Sequence, residues 1–319
     1  EEKSKTRSMK KDKKVEFRLL NAINKIANNK PLSDTEQAYI EEGQKSFRDA
    51  GTSYSGQIVL PSESRAIVSG KDATSVEIAS ILEPLRAKNV LFNAGANFMT
   101  GLRGDVQVPL MNGANVSWAT ENGEATDAGT SFTNVKLSPR RLTAFLDISK
   151  QFLAQSSEDA EAKIRMDIVN AINTKLEATI LGSAAGTATQ PAGLFSLTGI
   201  SSLTISNYLQ LATLNSYVDD ANVLNERNYI VSNSAKAWLR TTAKGSVGGG
   251  YIMESGEVDG EKVHNSSNVV ANKLIYGDFS NLIIGEWSGI DLTVDMYTQA
   301  TKGAVRLVIN AYFDAQVAT

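Results

Sequence analysis

The chain has 319 residues, 42% hydrophobic and 21% charged, which is enough apolar material for two packed units. A formal net charge of −3 excludes a surface built as a whole to hold a polyanion, and no run of about eighteen apolar residues is present to span a membrane. Cysteine is absent and histidine occurs once, which removes disulfides, thiolate nucleophiles, iron–sulfur clusters and the usual Cys/His zinc sites.

Residues 1–14 carry seven Lys or Arg against three acids, with no apolar signal core. They read as a basic, solvated arm and argue against secretion. From 15 to 27, Leu19, Leu20, Ile23 and Ile26 share a face, predicting a short amphipathic helix. After Pro31, Ser33 and Glu36 form an S-x-x-E capping box that opens a second helix running to about Phe47. Both helices are charged and marginal alone, so they are expected to pack on something else. GTSYSG (51–56) reads as a linker, and 76–85 as a short helix broken by Pro84.

Within 101–149, Val106, Val108 and Leu110 alternate with polar residues, and so do Leu142, Ala144, Leu146 and Ile148. This predicts a long two-stranded arm. The polar stretch between its strands has Trp118, Phe132 and Leu137 as its few large apolar groups. Such a hairpin is not stable alone and calls for support from another chain. A surface loop is the other reading.

The strongest helical signal is 156–182. Ile164, Ile168, Ile172, Leu176 and Ile180 recur every four residues, Ser156 and Asp159 match a capping box, and Gly182 is the expected stop. Each four-residue step turns the stripe by about 40°. The helix therefore needs different partners along its length.

After a Gly/Ala/Thr loop, helices are predicted over 207–218 and 235–241. Strands are predicted over 229–232, 269–276 and 282–285, around Leu292, Val294 and Met296, and around Val305, Leu307 and Ile309. The mixture has no strict βαβ repeat, so the class is α+β.

Chemical motifs are weak. AKGSVGGGY (243–251) lacks the G-K-[ST] ending of a phosphate loop and reads as a flexible loop. His264 lies in VHNSSN near Ser266 and Ser267, without a G-x-S-x-G elbow, and is expected as an exposed polar histidine. Glu158 and Asp159 serve helix capping, and Asp219 and Asp220 lie at a helix end. No catalytic, metal-ligating or cofactor-binding residue is assigned, and no cofactor is expected.

The ordered series of segments resembles the major capsid proteins of tailed bacteriophages, with the Hong Kong 97-type fold. The resemblance runs over about four-fifths of the chain, roughly from Val59 to Ala318. It rests on SVEIASILEPLRAKNVLFNAGA, on GDVQVPLMNGANVSWATENGEATDAGTSFTNVKLSPRRL with its W-x-x-E element at Trp118–Glu121, and on LDISKQFLAQSSEDAEAKI. ILGSAAGTATQPAGLF with Gln190–Gly193, YIVSNSAKAWL and the Gly-Asp-Phe at Gly277–Phe279 complete it. The resemblance implies a charged helical N-terminal arm or short scaffolding-like segment (1–56) and a continuation entering the peripheral domain (57–100). An extended β-hairpin loop (101–149), a spine helix of the peripheral domain (150–189), a mixed axial domain (190–285) and strands returning to the peripheral domain (286–319) follow.

It further implies a shell subunit that is not an enzyme. Copies meet as pentamers and hexamers in an icosahedral shell around double-stranded DNA, which is touched by weak non-specific contact. Portal, scaffold, maturation protease and decoration proteins are the further partners, with no membrane, in a virion assembled in the host bacterial cytoplasm. The extended loop would lie across a neighbour. Expected interface residues are Trp118 as apolar anchor, an acidic tip of Glu121, Glu124 and Asp127, Arg140 and Arg141 at the loop base, and Gly248 and Gly249 near the capsomer opening. Between Asp105 and Val135 there is no lysine, and Lys136 stands on the returning strand, so no Lys–Asn covalent chainmail is expected. Two rival readings remain at this point, an encapsulin-like compartment shell and a hydrolase using His264.

Overall fold

In the computed structural model, residues 17–61, 65–69, 74–78, 89–111, 118, 121, 124, 132–154, 158–221, 223, 225–245 and 249–318 are described. The basic arm lies outside them.

The first helix, α1 (Leu19–Ala27), turns Leu19, Leu20, Ala22 and Ile23 inward. Ser33 caps α2 (Asp34–Ala50): its side chain accepts from the Glu36 amide, while the Glu36 carboxylate accepts from the Ser33 amide at 2.8 Å. Burial works against the Glu36 charge, but Lys25 at 2.6 Å and the Ser33 bonds prevail and hold its carboxyl below the usual value. Tyr39, Ile40 and Phe47 are buried, and the Phe17 ring stacks on Tyr39 at 3.9 Å. Both helices thus pack on the core of their own chain. Residues 51–56 are tied by hydrogen bonds to the larger sheet. The Ser55 and Gly56 amides donate to the buried Asp291 carboxylate at 3.1 and 2.9 Å, and the Tyr312 hydroxyl donates to the Ser53 carbonyl.

The larger sheet is built on one long strand, β15 (Ala304–Val317). One edge pairs antiparallel with β14 (Ile290–Asp295) and β13 (Leu282–Glu286). These two are halves of one kinked run, since Glu286 faces Phe313, Asp291 faces Asn310, and 287–289 bulge between them. Trp287 fills the bulge and donates its indole N–H to the Gly104 carbonyl at 2.5 Å. A Cβ at Gly289 would collide with the Leu60 carbonyl, so only glycine lets the bulge rest on β1 (Ile58–Leu60). β1 pairs antiparallel with β14, and β4 (Asn97–Met99) pairs parallel with β13.

The other edge of β15 carries β7 (Arg140–Ser149), in register from Ser149 on Ala304 to Arg140 on Phe313. Leu142, Ala144, Leu146 and Ile148 therefore belong to this sheet and not to the hairpin. The partner of β5 (Val106–Met111) is β6 (Phe132–Leu137). Alternation reports which face is buried, but not which strand lies alongside. The helix expected over 76–85 is also corrected. Thr74–Ile78 is a strand, β3, paired with β2 (Arg65–Ser69), in keeping with its β-branched residues. Residues 79–88 lie outside the described set.

The spine, α5 (Glu158–Ile180), follows the short α4 (Lys150–Ala154); Ser156 lies outside the described residues. Ile164, Ile168, Val169, Ile172, Leu176 and Ile180 are all buried in one core with α1 and the larger sheet. Near the start, Arg165 donates to the Phe17 carbonyl at 3.0 Å. Farther along, Asn173 meets Asn89, and Glu177 meets α3 (Val90–Asn93). The rotating stripe finds successive partners within its own chain.

The smaller sheet has the order β12 (Leu274–Gly277), β8 (Asn228–Val231), β11 (Glu261–Asn265), β10 (Glu257–Val258), β9 (Met253–Glu254). Its helices are α6 (Tyr208–Asp220), capped by Asn207, and α7 (Asn233–Thr241), capped by Ser232. Along β8, Tyr229 and Val231 enter a local core with Leu211, Leu239, Ile252 and Val258, while Ile230 enters the main core. The strand is a wall shared by two cores. Tyr229 stacks on its cross-strand partner Tyr276 at 4.4 Å and donates to Asn215 at 2.6 Å. The fold is α+β. β13 lies in the larger sheet, paired with β15 and β4.

Candidate subunit interface

The hairpin projects its described tip residues, Trp118, Glu121 and Glu124, into solvent, with Trp118 fully exposed. Asp127 and Gly248 lie outside the described residues. At the base, Lys136 pairs with Asp105 at 2.5 Å, and that bond, followed by one from Ser138, holds the Asp105 carboxyl below its ordinary value.

Arg140 and Arg141 have opposite fates because they alternate across β7. Arg140 points inward and pairs with Asp314, a residue 1% exposed. The Ser138 and Ala315 amides also donate to Asp314, at 3.0 and 2.9 Å. Burial pushes the Asp314 carboxyl up, against these donors and Arg140. Arg140 is thus paired within its own chain. Arg141 is exposed.

On the same outward face as Arg141 stands Phe145, 64% exposed. The Arg306 guanidinium lies over its ring, 4.1 Å from the centroid, and is held in place by Asp147 through two bonds of 2.7 and 2.9 Å. The Asp147 carboxyl is lowered, chiefly by that bond, and the Arg306 guanidinium is raised by it. The platform was not singled out from sequence. Its signal was present: with Leu142, Ala144 and Leu146 inward, Phe145 is an aromatic on the solvent side of a strand.

Around the expected capsomer opening, Gly249 is exposed in a loop whose neck is closed by the Lys244 amide donating to the Gly250 carbonyl at 2.9 Å. The Lys244 ammonium pairs with Asp259 at 2.9 Å, and Tyr208 donates to the same carboxylate at 3.1 Å.

His264 is not the exposed histidine expected. It lies half-buried on β11, its Nε2 has no hydrogen-bond partner among the described residues, and burial, then Lys262, lowers its pKa from 6.5. Ser266 bonds to Glu177 rather than to His264. Among the described residues no cluster of three His, Cys, Asp or Glu is placed to hold a metal, and no helix is long and apolar enough to cross a membrane.

A spine helix, a projecting hairpin and a mixed axial sheet are the elements of the Hong Kong 97-type fold. Solved capsid structures share it. The capsid of a native GTA particle superposes with a TM-score of 0.57 at 14% identity, covering 72% of this chain and 86% of that one. The Mycobacterium phage Bobi structure gives 0.56 at 13%, covering 72% and 84%. The phage capsid family model matches residues 75–319, and the chain belongs to that family. The major capsid protein of Halomonas phage phiHAP-1 is 28% identical over 240 residues, 74% of this chain and 39% of that protein. That of Klebsiella oxytoca phage phiKO2 is 23% identical over 275 residues, 77% and 64%. The chain thus spans less than two thirds of the length of either relative.

Proposed function

We propose that this chain is a major capsid protein of a tailed phage, building an icosahedral shell around double-stranded DNA through pentamers and hexamers of itself. The observation that carries the reading is the hairpin: a two-stranded arm whose Trp118 is wholly uncovered by its own chain, on a chain of the phage capsid family. Laid across a neighbour, the arm would bury Trp118 and bring Glu121, Glu124 and Asp127 toward a basic surface in which Arg141 takes part. Many such contacts, each modest, act together through avidity, and closed symmetry leaves no unsatisfied edge. The reading assigns the chain no catalytic step and no cofactor. Assembly takes place in the host bacterial cytoplasm, and the shell becomes the virion capsid. Portal, scaffold, maturation protease and decoration proteins are its further partners, and the DNA is touched by weak non-specific contact.

Electron microscopy of the purified full chain tests this, with uniform closed shells expected. Soluble subunits alone under assembly conditions overturn the reading, and enzyme cargo in place of DNA moves it to a compartment shell. Denaturing electrophoresis of mature shells should show the free subunit, since the hairpin strands offer only Lys136, already paired with Asp105.

A further inference from the structure

Glu177 is a carboxylate at a place where the spine helix otherwise turns hydrophobic residues inward. Leu176 and Ile180 beside it are buried, and Glu177 itself is 4% exposed. Its carboxylate accepts from donors on two sides of the molecule. Oε1 takes the Val90 amide at 2.7 Å, the first amide of α3. Oε2 takes the Ser266 hydroxyl at 3.2 Å and the Asn268 side-chain amide at 2.9 Å, from the segment that follows β11. The Ser266 amide in turn donates to the Val231 carbonyl, at the end of β8, and so belongs to the centre of the axial sheet. On the far side, the Asn228 amide group at the start of β8 donates to the Ala94 carbonyl, just past α3. Spine, α3 and axial sheet are thereby closed into one ring of hydrogen bonds.

An apolar contact of the same area would let the axial sheet slide or rock on the spine, because burial has no preferred direction. Hydrogen bonds have one: they weaken steeply away from linear geometry. A buried acceptor serving three donors therefore admits a narrow range of angles between the two units, and leaving it partly unsatisfied is costly. We propose that Glu177 is a positioning residue that sets the angle between spine helix and axial sheet, and through it the curvature at which subunits close. The second half of this rests on the shell function proposed above; the first half does not.

The absence of native cysteine makes the angle measurable in the full chain. Lys175→Cys on the exposed side of the spine and Leu209→Cys on the axial helix α6 are spin-labelled, and the distance distribution is recorded in the unassembled subunit. The wild-type background is expected to give one narrow distribution. Glu177→Gln should keep it, because the glutamine oxygen still serves Val90 while the Asn268 amide turns over to accept. Glu177→Ala should lose it to a broad one, and under assembly conditions give mixed diameters and open sheets in place of one shell size. A Glu177→Ala distribution as narrow as the wild type overturns the proposal, whatever happens to its melting temperature. If Glu177→Ala does not fold, the double replacement Ser266→Ala/Asn268→Ala removes both axial donors while leaving the spine intact and is judged by the same criterion. Failure of the unsubstituted chain to form shells counts against the capsid reading only, since the distance measurement still decides the joint.

Discussion

Replacing Trp118 with alanine separates the stability of the subunit from the strength of its association. In the single chain the indole touches solvent on every side, so its removal should change the unfolding free energy by no more than about 0.5 kcal/mol. In an assembled shell the same ring would be covered by a neighbour. A buried Trp hides about 150–250 Å², which at about 25 cal/mol per Å² corresponds to roughly 4–6 kcal/mol. Ordering of the arm and imperfect burial reduce this to about 2–4 kcal/mol, the range of interface hot spots. Each subunit lends one arm, so the critical concentration for assembly should rise roughly 30- to 700-fold. Light scattering against subunit concentration reads that shift, and circular dichroism with thermal melting reads the subunit. An unchanged critical concentration in Trp118→Ala would refute the anchor. So would a large loss of subunit stability, because it would mean that the indole is packed within its own chain.

Two further perturbations follow from buried charge. Arg140→Ala strands the Asp314 carboxylate in the interior and should cost about 3–5 kcal/mol in urea unfolding, while a paired Arg140→Met/Asp314→Asn replacement, which removes the charge but keeps an oxygen for the backbone amides, should cost less; equal losses would refute the stranded charge as the cause. His264 has its pKa depressed in the fold, so the folded state binds fewer protons than the unfolded chain as pH falls. Its contribution to stability is intact above the unfolded value of 6.5 and should diminish as pH falls through that value, and His264→Gln should flatten the stability profile between pH 7 and 5 relative to wild type.

Much of this architecture was legible where the local chemistry is unambiguous. The Ser33–Glu36 box and the four-residue isoleucine stripe each carry their structure in a few neighbouring side chains. Strand partners were not legible, since Leu142–Ile148 alternate in the same way whether they pair with β5 or with β15. The short strands β9 to β11 run through MESGEVDGEKVHN, where charged and small residues hide the pairing. Thr74–Ile78 is too short for its period to separate strand from helix. At the candidate interface, Trp118 stood out as a large apolar residue in a polar stretch. The inward pairing of Arg140 was not legible, because a charge in a strand does not announce which side it faces until the register is known. Glu177 was hidden for the opposite reason: it sits beside the stripe, where the helix pattern predicts a solvated side chain, and only the docking of α3 and the axial loop covers it.

The shared strand β8 has a mechanical consequence. With Tyr229 and Val231 committed to one core and Ile230 to the other, neither core can come apart without wetting the wall of its neighbour. A load on the axial sheet would be passed through that strand into the spine, and the two units would resist it as a single plate.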